Sequence, residues 1–234
     1  EEQTKLTWAK VIQSYADIPE AYKDYFEPFF ADGQEIPYIV LAPAREGLTR
    51  RTTEKLICNI NREIHVLEKS EGTINIQCYP IEAISYVEVK TILLDSHIKI
   101  SGLTRQGFHA SSTIKFNSVT DYLFTPILDG IRHATAGFED AAQSSETDKF
   151  DHLIKLNFKF MNYARRSLLA GEKVIHHILQ SEIRARVLRI LGKTFYRTIS
   201  PTHMSILTDR ELIMIREDAT QNRVSRYGGI WNYI

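Results

Sequence analysis

The stretch Glu54–Lys69, EKLICNINREIHVLEK, decides the fold because a second version of it returns as Thr202–Glu217, THMSILTDRELIMIRE. Within the two stretches, Asn61-Arg62-Glu63-Ile64 aligns with Asp209-Arg210-Glu211-Leu212. Similarity between two parts of one chain marks a repeated structural unit. We therefore predict that the chain is a tandem of one fold.

The first stretch has the pattern of two strands joined by a tight turn. Leu56, Cys58 and Ile60 alternate with their neighbours, and after Asn61-Arg62 the chain resumes as the apolar run Ile64–Leu67. Asparagine suits such a turn because it tolerates left-handed backbone angles. The same pattern predicts a hairpin at the corresponding place in the second copy.

The two copies differ in length. Each begins with an apolar segment, Ile36–Leu41 in the first and Val174–Leu179 in the second, and the second copy then carries about nine extra residues, an ordinary loop or strand extension. Tyr227 corresponds to Tyr79 but lies close to the last residue, Ile234. We expect the natural polypeptide to continue. The alternatives are a disordered tail, or cover of the open apolar face by another copy or by the long Phe150–Leu169 helix.

Composition predicts a soluble, cytoplasmic protein. The 234 residues are 43% hydrophobic and 25% charged, and 29 basic residues balance 29 acidic ones. Without net charge, nucleic acid is not an expected partner. No apolar run approaches the roughly 20 residues of a membrane span. Cys58 and Cys78 are expected to be reduced core thiols.

Patterns along the chain divide it into four parts. Residues 1–35 are a helical lead-in, 36–135 a first domain, 136–171 a linker and an amphipathic helix, and 172–234 an incomplete second domain. The lead-in should hold two short helices with aromatic packing faces, and the linking helix should run through Phe150–Leu168. The predicted faces of the lead-in helices are Trp8, Val11, Ile12 and Tyr15 in the first, and Tyr22, Tyr25, Phe26 and Phe29 in the second.

The first domain should contain seven strands and close with a helix. Ala110–Phe116 supplies the last strand, and Ser118 with Asp121 resembles a capping box. Pro126 either kinks the closing helix or lies in the first turn of a new helix that Thr125 caps.

These elements predict an α+β, mainly β fold: a bent sheet or small barrel with a C-terminal helix, repeated. The pattern resembles bacterial pleckstrin-homology-like (PH-like) domains, in which a strand ending in Thr-Asp/Asn-Arg-Arg/Glu-Leu-Ile precedes a Pro-Ile/Leu-x-x-Ile-x-x-Val segment. The matching residues here are Leu207–Ile213, the degenerate Asn59–Ile64, and Tyr79–Val87. The resemblance implies a noncatalytic scaffold that binds protein partners, copies of itself or anionic lipid.

The sequence contains no catalytic motif that predicts an enzyme, a metal site or a cofactor. Phosphate-cradling glycine loops, Gly-x-Ser-x-Gly, Cys-x-x-Cys and His-Glu-x-x-His are all missing from it. His176 and His177 are neighbours in a predicted strand, so they should point to opposite faces and cannot share one metal ion. A hydrolase built on a histidine that sequence cannot place is the alternative. A deep pocket holding a histidine, a carboxylate and a nucleophile would favour it.

One charge pattern suggests a binding site. Basic residues follow the first strand of each copy, where many PH domains hold phosphorylated head groups, and arginine's planar fork suits phosphate. Alternatively, these charges simply face water. The candidate residues are Arg45, Arg50, Arg51 and Lys55 in the first copy, and Arg184, Arg186, Arg189 and Lys193, with Arg197 beyond them, in the second. Because open sheets leave strand edges unpaired, we also expect a homo-oligomer.

Overall fold

The computed structural model describes residues 8–30, 36–46, 51–70, 72–92, 95–136, 146–218 and 228–234. The chain divides into two compact units. Unit 1 comprises Glu1–Val87 and Leu94–Gly137, and unit 2 comprises Glu88–Leu93 and Phe138–Ile234.

Unit 1 combines strands with two α-helices, α1 (Glu20–Phe30) and α2 (Thr125–Ala136). Short 3-10 helices lie at Tyr15–Asp17, Ile81–Ala83 and Ser118–Phe124. Its strands are β1 (Lys10–Ile12), β2 (Ile39–Ala42), β3 (Arg45–Glu46), β4 (Arg51–Thr52), β5 (Lys55–Ile60), β6 (Glu63–Ser70), β7 (Thr73–Pro80), the first half of β8 (Ile84–Ile92), β9 (Asp95–Leu103) and β10 (His109–Phe116).

Unit 2 contains the second half of β8, a 3-10 helix at Thr147–Ile154 and the α-helix α3 (Phe158–Ser167). Its remaining strands are β11 (Val174–Gln180), β12 (Ile183–Ile190), β13 (Lys193–Ser200), β14 (His203–Thr208), β15 (Leu212–Arg216) and β16 (Gly229–Tyr233).

The first sheet of unit 1 has the order β1-β2-β5-β6-β7, and every neighbouring pair is antiparallel. The predicted turn between β5 and β6 is confirmed, since Asn61 and Arg62 have φ of 51° and 62°. Both residues adopt the left-handed conformation that a two-residue hairpin turn requires. This turn fixes which residues of β5 and β6 lie opposite each other.

Helix α1 covers one face of this sheet, as its aromatic spacing predicts. Tyr22 and Phe26 are fully buried against Ile39, Leu56 and Cys58. Burying a side chain of this size contributes about 2 kcal/mol. The aromatic face of α1 therefore holds the helix on the sheet.

The second part of unit 1 is built on the β9–β10 hairpin and the helix that follows it. The register runs from His109 opposite Leu103 to Phe116 opposite Ser96. Phe116 stacks on Phe124 with ring centroids 4.1 Å apart.

The end of this hairpin leads into α2 through a 3-10 helix. The side chain of Asn117 accepts a hydrogen bond from the backbone N–H of Val119 at 3.1 Å, so Asn117, not Ser118, is the cap. A new α-helix begins at Thr125, which leaves Pro126 in its first turn, where proline is tolerated.

In unit 2 the sheet order is β11-β14-β15-β16 followed by the second half of β8, and helix α3 packs against β15. Ile206, Ile213 and Ile215 are fully buried. The ring of Tyr163 in α3 lies 4.8 Å from that of Trp231 in β16. Within unit 2, α3, which is part of the predicted Phe150–Leu169 helix, therefore covers apolar side chains of the second copy.

Two sequence predictions about shape are wrong, and of the predicted bent sheet or small barrel the barrel is excluded. The segment around Trp8–Tyr15 forms strand β1 and a 3-10 turn instead of a helix, because β-branched Val11 and Ile12 pair with β2. The predicted continuous helix over Phe150–Leu168 is divided, since Asn157 caps a new helix by accepting a hydrogen bond from the N–H of Phe160. Within the described residues the sheets are open, and no closed barrel forms.

Gly102 in β9 lies where unit 1 is tightly packed. A Cβ added at Gly102 would lie 2.8 Å from Cα of Ile84 and would collide with the carbonyl oxygen of Ala83. We expect Gly102→Ala to lower the free energy of unfolding by about 2–3 kcal/mol. Gly130→Ala is the control, because its Cβ meets only Asn59 Nδ2 at 3.5 Å, and alanine should stabilise α2 by about 1 kcal/mol.

Urea unfolding, followed by Trp8 fluorescence in a Trp231→Phe background, measures unit 1 alone, because the chain has two tryptophans and one lies in each unit. Equal unfolding free energies for the two alanine variants would contradict the packing described for Gly102.

Candidate functional site

The first basic segment is only partly described, and its lysine is neutralised. Arg45 and Arg51 lie in the two-residue strands β3 and β4, while Arg50 lies outside the described residues. Lys55 Nζ lies 3.0 Å from Glu68 Oε2, with both side chains largely buried. The charge of Lys55 is therefore already paired.

A surface cavity of about 240 Å³ adjoins this segment. Thr53 donates a 2.5 Å hydrogen bond to Glu68, the same carboxylate that pairs with Lys55. Burial would raise the pKa of Glu68, but the hydrogen bonds from Thr53 and Lys55 lower it below its usual value. Because Glu68 neutralises Lys55, this ion pair adds no net positive charge to attract an anionic ligand into the cavity. The cavity is lined by Thr52, Thr53, Lys55, Thr113 and Lys115.

The second basic segment forms a hairpin of its own, β12–β13, which is separate from the larger sheets. Between Ile183 and Ser200 the sequence holds five basic residues and no acidic one, although the whole chain has no net charge. Large apolar side chains are exposed on the same hairpin. They are Ile183, Val187, Leu188, Leu191, Phe195, Tyr196 and Ile199.

The strand register brings two of the predicted arginines to one face. Arg184 pairs with Thr198 and Arg186 pairs with Tyr196, and alternate residues of a strand share a face. Arg184 also lies 2.5 Å from Glu182, and this hydrogen bond raises the pKa of the guanidinium. Arg189 pairs through its backbone with Thr194, and Lys193 begins β13 beside the turn.

The tip of the hairpin is a bulky apolar residue in an unfavourable backbone conformation. Leu191 has φ of 48° and Gly192 has φ of 77°, and the Leu191 side chain is 98% exposed. Asn and Gly are the residues that such a turn favours, and a non-glycine residue with positive φ is uncommon. Leucine at this position serves neither the turn nor a core, which points to contact with something outside the chain.

Sequence reasoning missed a cluster of polar side chains that unit 1 buries under α1. The Tyr25 hydroxyl and Nδ1 of His65 share a 2.5 Å hydrogen bond. Cys78 Sγ lies 3.5 Å from the same nitrogen and 3.6 Å from the Tyr25 oxygen. His65 is 2% exposed and Cys78 is 8% exposed.

A carboxylate and an arginine extend this cluster on the other side of the imidazole. Nε2 of His65 is buried and lies 3.6 Å from Glu63 Oε2. Arg105 donates to both oxygens of Glu63, in one case at 2.9 Å. Burial and the charge of Arg105 lower the pKa of His65, whereas Glu63 and a hydrogen bond to the backbone of Ile60 raise it, and the net effect is a lowering. The resting imidazole is therefore neutral near pH 7.

The cluster has one signal in the sequence, but that signal is weak. Once Asn61-Arg62 is recognised as a two-residue turn, His65 must lie opposite Cys58, and it also lies opposite Cys78 on the next strand. Tyr25 and Arg105 come from distant parts of the chain, so no local pattern connects them to His65.

Two other histidines meet in unit 2. His177 Nε2 lies 3.3 Å from His152 Nε2, while the His176 ring lies 6.5 Å from that of His177. Burial, followed by the neighbouring His152, lowers the pKa of His177. Within the described ranges, no three or more His, Cys, Asp or Glu side chains converge as metal ligands.

Comparison of the chain with protein-family models, with curated proteins and with solved structures found no match. The resemblance to PH-like domains thus remains a prediction from the residues quoted above. In the part of the chain that the structure describes, no helix combines the length and apolar content needed to cross a membrane.

The buried imidazole predicts a dependence of stability on pH. Because the pKa of His65 is lower in the folded state than the ordinary value near 6.5, the unfolded state binds more protons as the pH falls below about 7. Stability should therefore decrease from pH 7 to pH 5. His65→Gln should reduce this slope by up to about 1.4 kcal/mol per pH unit.

Urea unfolding at several pH values, with Trp8 as the only tryptophan, measures the effect in unit 1. His152→Gln is the control, since it replaces an exposed histidine of unit 2. Parallel curves for wild type and His65→Gln would contradict the prediction. The titratable and charged groups that face His65 are Tyr25, Cys58, Glu63, Cys78 and Arg105.

Proposed function

We propose that this chain is a noncatalytic interaction module that binds an anionic membrane surface through the β12–β13 hairpin. The observation that carries the proposal is Leu191, 98% exposed at a tip where the turn favours Asn or Gly. The strands behind it hold five basic residues and no acidic one, and of the five, Arg184 is paired with Glu182 just before β12. An apolar tip backed by positive charge suits a bilayer interface, where apolar groups enter the acyl boundary and cations meet anionic lipids.

The free energies expected from the basic side chains and from Leu191 are sufficient for reversible binding to a membrane. Each basic side chain near an anionic surface contributes about 1 kcal/mol. Transfer of an exposed leucine side chain out of water contributes about 2 kcal/mol. The cytoplasmic leaflet carries anionic lipids, which fits the cytoplasmic location predicted from sequence.

Charge also separates this proposal from the alternatives for the hairpin. Two hairpins with five basic residues each would repel, so pairing of this surface with a second copy is disfavoured. An acidic protein partner has the same charge complementarity, but it gives no reason for a single apolar side chain at the apex. The vesicle experiment described below distinguishes the two.

The hydrolase alternative receives partial support from the buried cluster, which gathers a histidine, a carboxylate and a thiol. Its side chains lie under α1, however, and His65 is 2% exposed. A hydrolase needs room for a substrate carbonyl beside the nucleophile. We therefore favour the binding module.

Strand order supports the idea of a tandem module of PH-like type. In unit 1, β2, β5, β6 and β7 are neighbours in that order, and β11, β14, β15 and β16 follow the same order in unit 2. All pairs are antiparallel. The hairpin β12–β13 then occupies the place that β3–β4 holds in the first copy.

Vesicle sedimentation tests the membrane proposal. We expect binding to vesicles that contain phosphatidylserine, weaker binding at high salt, and none to pure phosphatidylcholine. The double variant Arg184→Ala, Arg186→Ala should weaken binding about 30-fold. Leu191→Asn should weaken it about tenfold or more while keeping the turn, because asparagine tolerates the left-handed conformation.

A matched control removes the same charge elsewhere in unit 2. Lys155 and Arg166 are both exposed and lie outside the hairpin, so Lys155→Ala with Arg166→Ala should bind vesicles as the wild type does. Absence of vesicle binding by the wild type would overturn the proposal and favour an acidic protein partner. Equal losses in the control and in the hairpin variants would show that only net charge matters.

Self-association through β11 is a second candidate, favoured by the exposed edge of that strand. In the described residues β11 pairs only with β14, and Ile175 and Ile178 are more than half exposed. An unpaired strand edge with apolar side chains is a template for pairing with another copy.

Light scattering after gel filtration, at tens of micromolar protein, tests this candidate; that range is on the order of ordinary oligomer affinities. The wild type should be a homo-oligomer, and Ile178→Lys should be monomeric because a lysine on an edge opposes strand pairing. The control is Leu156→Lys, which changes an exposed leucine of unit 2 outside the strands. It should leave the oligomer intact. A monomeric wild type would exclude the candidate.

A further inference from the structure

We propose that Cys78 is a modification site, a thiol that His65 deprotonates and that a small peroxide oxidises to a sulfenic acid. This inference concerns the buried cluster of unit 1 and is independent of the hairpin in unit 2. It rests on the positions of Cys78, His65, Glu63 and Tyr25.

The geometry is that of a thiol with a base and a group that orients the base. Cys78 Sγ lies 3.5 Å from Nδ1 of His65, and Nε2 of the same ring lies 3.6 Å from Glu63. Cys78 and His65 are opposite each other on the neighbouring strands β7 and β6. A rigid sheet thus holds the thiol beside the imidazole, the arrangement that activates cysteine nucleophiles.

The second nitrogen of His65 lies on the side of the ring where a negative charge favours the protonated form. Nε2 is buried 3.6 Å from Glu63 Oε2, and a hydrogen bond to the backbone of Ile60 also raises the pKa of the ring. Glu63, which Arg105 holds through both of its oxygens, lies on that side of the ring. Its negative charge would stabilise an imidazolium after proton transfer from the thiol.

Tyr25 restrains this reaction in the resting protein. Its hydroxyl lies 2.5 Å from Nδ1 of His65 and 3.6 Å from Cys78 Sγ, and in the proposed resting state it donates to Nδ1. The shorter hydrogen bond keeps the lone pair of Nδ1 occupied. Loss of the hydroxyl should therefore favour proton transfer from Cys78 to His65.

The burial of Cys78 limits the size of the molecule that can react with its thiol. Cys78 is 8% exposed and lies beneath α1, so peptides and other large substrates cannot reach it. A peroxide with two oxygen atoms needs little more room than water molecules do. The cluster therefore suits a small peroxide better than an acyl substrate.

The proposed reaction is a two-electron oxidation of the Cys78 thiol by the peroxide. The proton of Cys78 moves to Nδ1 of His65, and the thiolate sulfur attacks one peroxide oxygen. An S–O bond forms as the O–O bond breaks, so the sulfur is oxidised and the peroxide is reduced. The leaving hydroxide takes the proton from His65 and departs as water, leaving Cys78 as a sulfenic acid.

The product should persist because the other cysteine is out of reach. Cys58 and Cys78 lie on β5 and β7, with His65 of β6 between them. Two strand spacings amount to about 9–10 Å, and a disulfide needs Cα atoms within roughly 7 Å. Cys58 is also fully buried, and burial raises the pKa of its thiol.

Peroxide treatment of the folded chain, followed by trapping of sulfenic acid with dimedone and peptide mass spectrometry, tests the proposal. Cys78 should be labelled and Cys58, the internal control, should not. His65→Gln should lower the rate at least about tenfold. The wild-type rate should fall as the pH drops below about 6.5 and His65 becomes protonated, and this fall should be missing in the variant. Tyr25→Phe should raise the rate.

Several results would overturn the proposal. They are equal labelling of the two cysteines, labelling only in urea, and the same rate and pH profile in wild type and His65→Gln. An unchanged or lower rate in folded Tyr25→Phe would overturn the restraint by Tyr25. Because His65→Gln alters a buried site, Trp8 fluorescence should first establish that each variant is folded, and Glu63→Gln provides a second variant that should also slow the reaction.

Discussion

In each unit a helix covers an apolar face of a sheet, and the fold depends on the burial of that face. In unit 1 the rings of Tyr22 and Phe26 close the face. In unit 2 helix α3 packs against β15 and brings Tyr163 to Trp231. The covering helix precedes the meander in each case, α1 before β2 and α3 before β11. A sheet of four strands cannot bury its own apolar face, and the amphipathic helix that precedes it in the chain covers that face.

The sequence predicts those parts of the fold that local patterns determine. The Asn61-Arg62 turn, helix α1 and the mainly β character follow from turn chemistry and from hydrophobic periodicity. The segment around Val11 and Ile12 was predicted as a helix because its apolar spacing fits one, yet pairing with β2 makes it a strand. The break before α3 depends on one hydrogen bond from Phe160 to Asn157. Tertiary pairing and single caps of this kind override periodicity.

Each candidate site also has a part that the sequence shows and a part that only the structure shows. The basic composition of residues 183–200 can be counted in the sequence, but the separate hairpin and the positive φ of Leu191 cannot. The cluster at His65 depends on Tyr25 and Arg105, which are brought to it only by the docking of α1 and by the chain that follows β9. The short hydrogen bond between Tyr25 and His65 and the burial of His65 Nε2 arise only when the distant parts of the chain pack together. Sequence alone gives only the cross-strand neighbours of His65.

The energetics of the hairpin link the fold to its proposed role. An isolated two-stranded hairpin is marginally stable in water, and β12–β13 has two further weaknesses. Its strands shift register at two places, and its turn contains leucine in a left-handed conformation. Asparagine at position 191 would relieve the turn. A sequence under pressure for hairpin stability alone would not retain the leucine, so its compensation is expected in a bound state, where the apolar tip leaves water and the basic strands meet negative charge.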